Sequence, residues 1–198
     1  MFAARSLAVR RGRRLLFRDA SFALERGGLL LVTGANGSGK SSLLRALAGL
    51  LPLAQGEVFW QGEAVRDFAA HRGRLHYLGH ADALKPELSA GEMLGYWSAV
   101  RGDAAPDTGL LEPFGLAAGT PVKYLSAGQR RRLALARLAL AGAPLWLLDE
   151  PATALDAKGR ELLASLVAGH RRKGGIAVIA AHRDMDFEGA RLALGEAA

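Results

Sequence analysis

The chain has 198 residues, of which 50% are apolar and 23% are charged, and it contains no cysteine. These values fit one globular domain with a substantial core, and they exclude disulfides and thiolate metal sites within this sequence. Lysine and arginine outnumber aspartate and glutamate by 26 to 19, which gives a net charge of +7. Such a surplus suits nucleic acid, acidic lipid or phosphate, so charge alone does not select a partner.

Many of the basic residues fall in three clusters, at 10–14, 130–132 and 171–173, and we expect these on solvated or phosphate-facing surface. A nucleic-acid groove also needs interleaved aromatic residues or a reading helix. Neither accompanies the clusters, so no nucleic-acid partner is expected. The uncharged stretch 138–148 contains Pro144 and is too short for a membrane-spanning helix. The first residues lack the apolar run of a secretory signal, so we expect a cytoplasmic protein.

Apolar residues recur with two different periods along the chain, which predicts strands that alternate with helices. Alternation of this kind implies a mainly parallel sheet flanked by helices, with a helical lobe inserted between two parts of the core. Ser89 and Ser126 are predicted N-caps within that lobe. In chain order, we predict antiparallel strands within 3–24, a buried strand at 28–34, a helix at 40–50, strands at 56–63 and 75–79, the helical lobe at 89–140, a strand at 145–148, a helix at 158–171 and a strand at 176–180.

A glycine-rich segment, GANGSGKS at 34–41, matches the pattern G-x-x-x-x-G-K-[ST] between a predicted buried strand and a predicted helix. Its glycines let backbone N–H groups turn towards phosphate oxygens, and the helix N-terminus adds positive potential. We expect Lys40 to reach the β- and γ-phosphates and the Ser41 hydroxyl to bind Mg²⁺. GTPases, kinases and helicases share the pattern, so it predicts nucleotide binding without naming the activity. The predicted nucleotide-binding residues are Gly34, Ala35, Asn36, Gly37, Ser38, Gly39, Lys40, Ser41 and Ser42.

Two acidic residues, Asp149 and Glu150, end the apolar segment 145–148. Ligands of a parallel sheet bind at the carboxyl ends of its strands, so both carboxylates are predicted at the nucleotide site. Asp149 is assigned to the magnesium ion, and Glu150 to orienting or deprotonating the attacking water. Capping of the next helix is the alternative for both. His182 follows the last predicted strand and is a second catalytic candidate, with a structural role as its alternative.

The segment LSAGQ at 125–129 precedes the acidic pair, and this order of motifs resembles that of the ABC ATPase family over nearly the whole chain. The resemblance implies an α/β fold, with a P-loop NTPase core, an antiparallel β edge and an inserted helical subdomain. It also implies hydrolysis of ATP with Mg²⁺ by a homodimer, because in this family the segment approaches the γ-phosphate held by the other copy. The residues that the resemblance adds to the nucleotide site are Ser126, Gly128, Gln129 and, in a stretch like the family's D-loop, Asp156.

The same resemblance implies that residues 1–198 form a single ATP-binding domain. Its RecA-like core is expected at about 1–79 and 141–198, and its helical subdomain at about 80–140.

Within the family, three stretches are most similar to CcmA, the ATP-binding subunits of the cytochrome c maturation haem exporter. These are LHYLGH at 75–80, LSAGQRRRLALARL at 125–138 and PLWLLDEPATALD at 144–156. The similarity implies an integral membrane CcmB-type subunit, with CcmC and CcmD, at the cytoplasmic face of the inner membrane. It also implies that ATP drives haem export, or release of a haem-loaded chaperone, for c-type cytochromes. The alternatives are the ATPase of another ABC transporter and a soluble ABC ATPase that acts on nucleic acid or ribosomes.

Two positions depart from the broader family pattern. His80 stands where most members carry the Q-loop glutamine, a magnesium ligand, and a neutral imidazole can still accept from a metal-bound water. Arg11 falls where many members stack an aromatic residue on adenine, and a guanidinium plane can also stack on a base. His76 and His80 are predicted on a strand and a loop, so direct haem binding is not expected. Tyr96 and Trp97 offer contact area for the membrane partner, or pack in the core.

Overall fold

The computed structural model describes residues 1–104, 106–140, 142–181 and 187–195. The strands in this part of the chain are β1 (Phe2–Arg11), β2 (Arg14–Leu24), β3 (Leu29–Thr33), β4 (Gln55–Trp60), β5 (Glu63–Ala64), β6 (Leu75–Leu78), β7 (Leu145–Asp149), β8 (Ile176–Ala180) and β9 (Ala190–Ala193). The α-helices are α1 (Lys40–Leu47), α2 (Phe68–Arg72), α3 (Ala90–Arg101), α4 (Ala127–Ala136) and α5 (Ala157–Arg172). Short 3₁₀ helices occupy Thr108–Phe114, Val122–Tyr124 and Arg137–Ala139.

The chain divides into two compact units. The first comprises Met1–Tyr77, Ala143–Glu150 and Gly169–Ala198, and the second comprises Leu78–Gly142 and Pro151–Ala168. The domain boundaries expected from the sequence, near residues 80 and 140, stay a prediction.

A four-stranded sheet at the start of the first unit has the order β2-β1-β4-β5, and its neighbouring strands pair antiparallel. Strands β1 and β2 form a hairpin in which Arg11 lies opposite Arg14. The inward side chains include Phe2 and Leu7 of β1 and Phe17 of β2, all of them buried. The antiparallel edge predicted from the alternating pattern is therefore confirmed.

A second sheet of five strands has the order β6-β7-β8-β3-β9. Strand β3 pairs parallel with both β8 and β9, and β7 pairs parallel with β8. Every residue of β7 and β8 is buried, which is why both strands read as unbroken apolar runs in the sequence. Because β3, β7 and β8 run the same way, the segments that follow β3 and β7 leave the sheet at one edge.

The second unit contains α3 and α4, each of which begins with a capping box. Ser89 Oγ accepts from Glu92 N at 3.3 Å, while Ser89 N donates to Glu92 Oε2 at 2.7 Å. Ser126 and Gln129 repeat the arrangement at α4, with distances of 3.2 and 2.8 Å. Each box satisfies backbone donors that a helix start would otherwise leave unpaired. Both predicted N-caps are confirmed.

Candidate functional site

The glycine-rich segment forms the turn between β3 and α1. Gly34 has φ +145° and Gly39, the N-cap of α1, has φ +100°, and both values favour glycine. A Cβ atom on Gly34 would lie 2.5 Å from the carbonyl oxygen of Leu194 and 2.6 Å from Ser38 Oγ. One on Gly39 would lie 2.8 Å from the Phe17 ring. The backbone therefore needs glycine at both positions for space as well as for conformation.

Lys40 is buried inside this turn, with only 6% of its surface exposed. Its Nζ donates to the carbonyl oxygens of Gly34 at 2.7 Å and Ala35 at 3.0 Å. A buried ammonium held by two neutral carbonyls retains its full positive charge for an anion that enters the turn. Within the described residues no side chain caps the start of α1, and its first turn holds no acidic residue. The helix start thus keeps its positive potential.

Ser38 supplies a further observation in the same turn. Its Oγ is buried and has no hydrogen-bond partner among the described residues. Buried polar atoms are normally satisfied, so a polar ligand atom fits here. Ser41, at the second position of α1, is exposed, and Ser42 is half-buried. Ala35, Asn36 and Gly37 are exposed along the outer part of the turn. We call residues Gly34 to Ser42 the phosphate cradle.

The acidic pair lies at the carboxyl end of β7, in the same unit as the cradle. Asp149 is buried, and Glu150 is half-buried with its backbone N–H donating to the Ala180 carbonyl at 2.9 Å. Burial and the charge of Asp149 raise the pKa of the Tyr77 phenol, while Arg45 partly opposes them. Glu150 has φ +48°, a region that non-glycine residues rarely occupy and that is often found at functional sites.

The oxygen donors Ser41 and Asp149 suit Mg²⁺, a hard cation that takes one or two protein oxygens and fills its other positions with water and phosphate. No cluster of three His, Cys, Asp or Glu residues that could hold a metal alone occurs in the described ranges. His80 belongs to the second unit and is exposed. An imidazole nitrogen suits a water on magnesium better than the ion itself.

The second unit contains the LSAGQ segment, which forms the start of α4. Ser126 is exposed, and Gly128 and Gln129 are half-buried. A Cβ atom on Gly128 would lie 3.1 Å from the Ala154 carbonyl oxygen, so the first turn of α4 packs closely on the segment after β7. Asp156, in that segment, accepts through Oδ1 from Gly159 N at 2.8 Å and so caps α5.

The remaining predicted residues have varied outcomes. Arg11 is exposed at the end of β1. His182 lies outside the described residues. His76 is buried on β6 whereas His80 is exposed, and the expectation of no haem binding through this pair stays a prediction.

Trp97 is buried with the Arg137 guanidinium 5.4 Å from its ring centroid, so it packs in the core, whereas Tyr96 is 40% exposed.

Sequence reasoning missed one residue of this region. Arg131 lies in the 130–132 cluster that we expected on the surface, yet only 3% of it is exposed. That expectation is wrong for Arg131 because its side chain has backbone and carboxylate partners inside the second unit. Its neighbour Arg130 is exposed, as expected.

No helix in the described part of the chain is both long and apolar enough to span a membrane.

The sequence matches a known protein family and is similar over nearly its whole length to curated proteins. The family described as "ABC transporter" matches residues 17–153. The chain is 50% identical over 198 residues to the "Cytochrome c biogenesis ATP-binding export protein CcmA" of Paramagnetospirillum magneticum, covering 96% of this chain and 91% of that relative. It is 47% identical over 195 residues to the protein of the same name from Rhizobium meliloti, covering 95% and 94%.

Two solved structures share the fold. A putative ABC transporter ATP-binding protein from Pyrococcus furiosus has a TM-score of 0.86 at 20% identity, over 98% of this chain and 96% of that one. A dimeric ATP-binding cassette, MJ0796, in a post-hydrolysis state with ADP and Pi, has a TM-score of 0.79 at 24% identity, over 92% and 88%.

Proposed function

The chain belongs to the ABC transporter family and, within it, to the ATP-binding subunits of cytochrome c biogenesis exporters, and from that premise we propose how its residues bind and hydrolyse ATP. The observation that carries the proposal is the shared sheet edge of the first unit. Strands β3 and β7 both run parallel to β8, so the phosphate cradle and the acidic pair follow strands that end on the same side. Parallel sheets bind their ligands at this edge.

Nucleotide binding is assigned to the cradle. Backbone N–H groups of Gly34 to Gly39 and the start of α1 surround the phosphates, while Lys40 moves part of its bonding from the Gly34 and Ala35 carbonyls to the β- and γ-phosphates. Ser38 Oγ, which is buried without a partner in the described residues, supports a polar ligand here. Arg11 is assigned to the base, where its guanidinium plane stacks in place of an aromatic ring.

Hydrolysis is assigned to Glu150, which orients or deprotonates the attacking water, with His182 as a second contact to the γ-phosphate or to the catalytic carboxylate. Ser41 and Asp149 would hold Mg²⁺, whose charge would offset that of the phosphates, and His80 is assigned to a water on that ion. Burial and, after it, the negative charge of Asp149 raise the pKa of Tyr77, and the same negative charge supports a cation beside Asp149. The glutamate's strained backbone, with φ +48°, fixes where its side chain starts.

We assign completion of the site to a second copy of the chain. The exposed start of α4, with Ser126, Gly128 and Gln129, meets the γ-phosphate held in the cradle of the other copy, and Asp156 lies in the segment between the two sites. The cassette MJ0796 is a dimer in its solved structure and shares this fold. In this arrangement each copy supplies one half of each site, so ATP draws the dimer together.

The membrane partner that we propose is a CcmB-type subunit, with CcmC and CcmD, at the cytoplasmic face of the inner membrane. Tyr96 and Val100, which are 40% and 68% exposed, lie four residues apart on one face of α3, and we assign the contact with the membrane partner to this face. ATP turnover would then serve haem export or release of the haem-loaded chaperone. Under this assignment residues 1–198 act as one ATP-binding domain.

Gene deletion with complementation tests the cytochrome assignment. Cells without the gene should lose covalent haem in c-type cytochromes and keep their b-type cytochromes, and the parental gene should restore the loss. A Lys40→Ala gene should not restore it, whereas Lys173→Ala, which changes an exposed lysine away from the cradle, should. Unchanged c-type cytochromes in the deletion strain would leave the ATPase of another transporter as the conclusion.

A further inference from the structure

The guanidinium of Arg131 joins three segments of the second unit. Its Nη1 donates to Asp82 Oδ1 at 2.7 Å and to the Gly79 carbonyl at 3.2 Å, and its Nε donates to the Pro151 carbonyl at 3.1 Å. Gly79 and Asp82 flank His80 in the chain, and Pro151 follows Glu150 directly. Arg131 itself lies on α4, whose first residues are the LSAGQ segment. One side chain therefore connects the start of α4 with the neighbours of two proposed site residues.

The environment makes these contacts strong. Only 3% of the Arg131 side chain is exposed, against 24% for Asp82. A buried cation must be paired and hydrogen-bonded, and losing one partner of such a pair leaves an uncompensated charge. The planar fork of arginine fits several acceptors at fixed angles, which the single ammonium of lysine cannot do. The close approach of Gly128 to the Ala154 carbonyl fixes α4 against the same segment at a second point.

We propose that Arg131 is a positioning residue for ATP hydrolysis, holding Ser126 at the start of α4 in a fixed relation to the loop that carries His80 and to the segment that follows Glu150. This inference rests on the proposed function, since it gives Ser126, His80 and Glu150 the roles assigned there. Movement of the His80 loop is passed to α4 through the guanidinium, so an event at the loop alters the group that faces the other copy's nucleotide.

The proposal separates catalysis from nucleotide capture. ATP is bound by the cradle of the first unit, whereas the partners of Arg131 named above, Gly79, Asp82 and Pro151, belong to the second unit. Loss of positioning should therefore lower kcat while the affinity of the isolated chain for ATP stays the same. A purely structural role would instead lower folding stability and nucleotide binding together.

The test uses Arg131→Met, Arg131→Lys and Asp82→Asn in the full chain. Binding of Mg-ATP is measured on the isolated chain, and kcat and KM are measured on the complex with its membrane subunit. Arg131→Met should lower kcat by roughly tenfold or more, as small displacements of catalytic groups do, with the Kd for ATP within about twofold of the parental value. Arg131→Lys should lower kcat less than Arg131→Met does, because lysine keeps the charge beside Asp82. The recovery should be incomplete, because lysine lacks the planar guanidinium that reaches several acceptors. Arg66→Gln is the control, because it breaks an exposed ion pair of 2.8 Å with Glu57. It should leave kcat, KM and the Kd for ATP at their parental values.

The kcat and the ATP affinity of the variants together decide whether Arg131 is a positioning residue. A parental kcat in Arg131→Met, or a loss of ATP binding that parallels the loss of kcat, overturns the proposal. If Arg131→Met does not fold, the milder variants decide, and parental turnover in both Arg131→Lys and Asp82→Asn overturns it. Combining those two changes should cost less than the sum of the single effects, because they disrupt one contact. A parental complex that never hydrolyses ATP contradicts the proposed function itself and is seen before any variant is made.

Discussion

The imidazole ring of His170 lies flat on the indole ring of Trp146, with ring centroids 3.9 Å apart and planes inclined by 9°. Trp146 belongs to the buried strand β7, and His170 lies in the last turn of α5 with its Nε2 3.2 Å from the Ile176 carbonyl oxygen. Burial lowers the pKa of His170, and the carbonyl opposes this only in part. The strand that carries Asp149 is thus packed against a histidine that resists protonation.

Stability should therefore fall in acid. The unfolded chain, whose histidines have an ordinary pKa near about 6.5, takes up protons before the folded chain does, so the free energy of unfolding decreases as the pH drops below about 6.5. Burial lowers the pKa of His71 as well, with the same sign. Urea midpoints at about pH 7.5 and about pH 5.5 measure the effect. The variants His170→Phe and His71→Phe should each reduce the difference between the two urea midpoints. An unchanged difference in both variants would exclude these residues as its source.

Gly175→Ala should destabilise the chain, because a Cβ atom there would collide with the His170 ring. Overpacking of this kind usually costs about 1–3 kcal/mol. Thermal or urea unfolding measures the loss, and the stack with Trp146 should weaken in the same variant, which tryptophan fluorescence reports. Gly119→Ala is the matched control, since nothing lies within 4 Å of its added carbon. Equal stability of the two variants would contradict the prediction.

Lys40→Ala should weaken ATP binding by roughly 10- to 100-fold, the value of a charge-assisted hydrogen bond. It also removes the two bonds that Lys40 makes to the Gly34 and Ala35 carbonyls, so the cradle loses internal support. Equilibrium binding of Mg-ATP measures the loss. Lys173→Ala removes an exposed lysine from the same unit and should bind ATP as the parental chain does. Parental affinity in Lys40→Ala would refute the cradle.

Glu150→Gln should keep ATP binding, lower kcat by roughly 100- to 10,000-fold and accumulate an ATP-bound dimer. Glutamine has nearly the same shape, and the backbone bond to the Ala180 carbonyl does not depend on the side chain. Phosphate release measures turnover, and size-exclusion chromatography with ATP measures dimerisation. Glu161→Gln changes an exposed glutamate on α5 and serves as the control. Hydrolysis by Glu150→Gln at the parental rate would assign the catalytic group elsewhere.

Ser126→Arg should abolish hydrolysis and spare ATP binding by a single chain, because the contact proposed for Ser126 is with the nucleotide of the other copy. The capping box at the start of α3, formed by Ser89, offers a comparison because it is not assigned to the nucleotide site. Ser126→Ala and Ser89→Ala should each cost about 1 kcal/mol of stability as a lost N-cap, yet only the change at Ser126 should slow hydrolysis by the complex with the membrane subunit. Equal slowing by both would mean that stability, and not the dimer contact, is being measured.

The fold could be predicted where burial leaves a mark in the local sequence. Strands β3, β7 and β8 are buried on both faces, so their apolar runs identify them without tertiary information. Strand β9 has no such run, and its residues are exposed or half-buried. It forms because the edge of β3 offers backbone partners to it, such as Leu30 opposite Ala190, and such pairing is invisible in the sequence.

The candidate site also has a part that the local sequence predicts and a part that it does not. The cradle and the acidic pair are contiguous motifs next to predicted strands, and the chemistry that we propose for them follows from residue types at fixed spacing. The burial of Arg131 depends instead on acceptors that lie 20, 49 and 52 residues away along the chain. A run of three arginines gives no sign of which one turns inwards. Only folding of the second unit distinguishes Arg131 from the exposed Arg130.

The two capping boxes of the second unit differ by one charge. At α3 the reciprocal bond comes from the carboxylate of Glu92, and at α4 it comes from the neutral amide of Gln129. A carboxylate at a helix start offsets the positive end of the helix dipole, whereas an amide leaves it in place. The carboxylate of Glu92 therefore offsets the positive end of α3, whereas the start of α4 keeps its positive potential in a first turn that the capping box already holds.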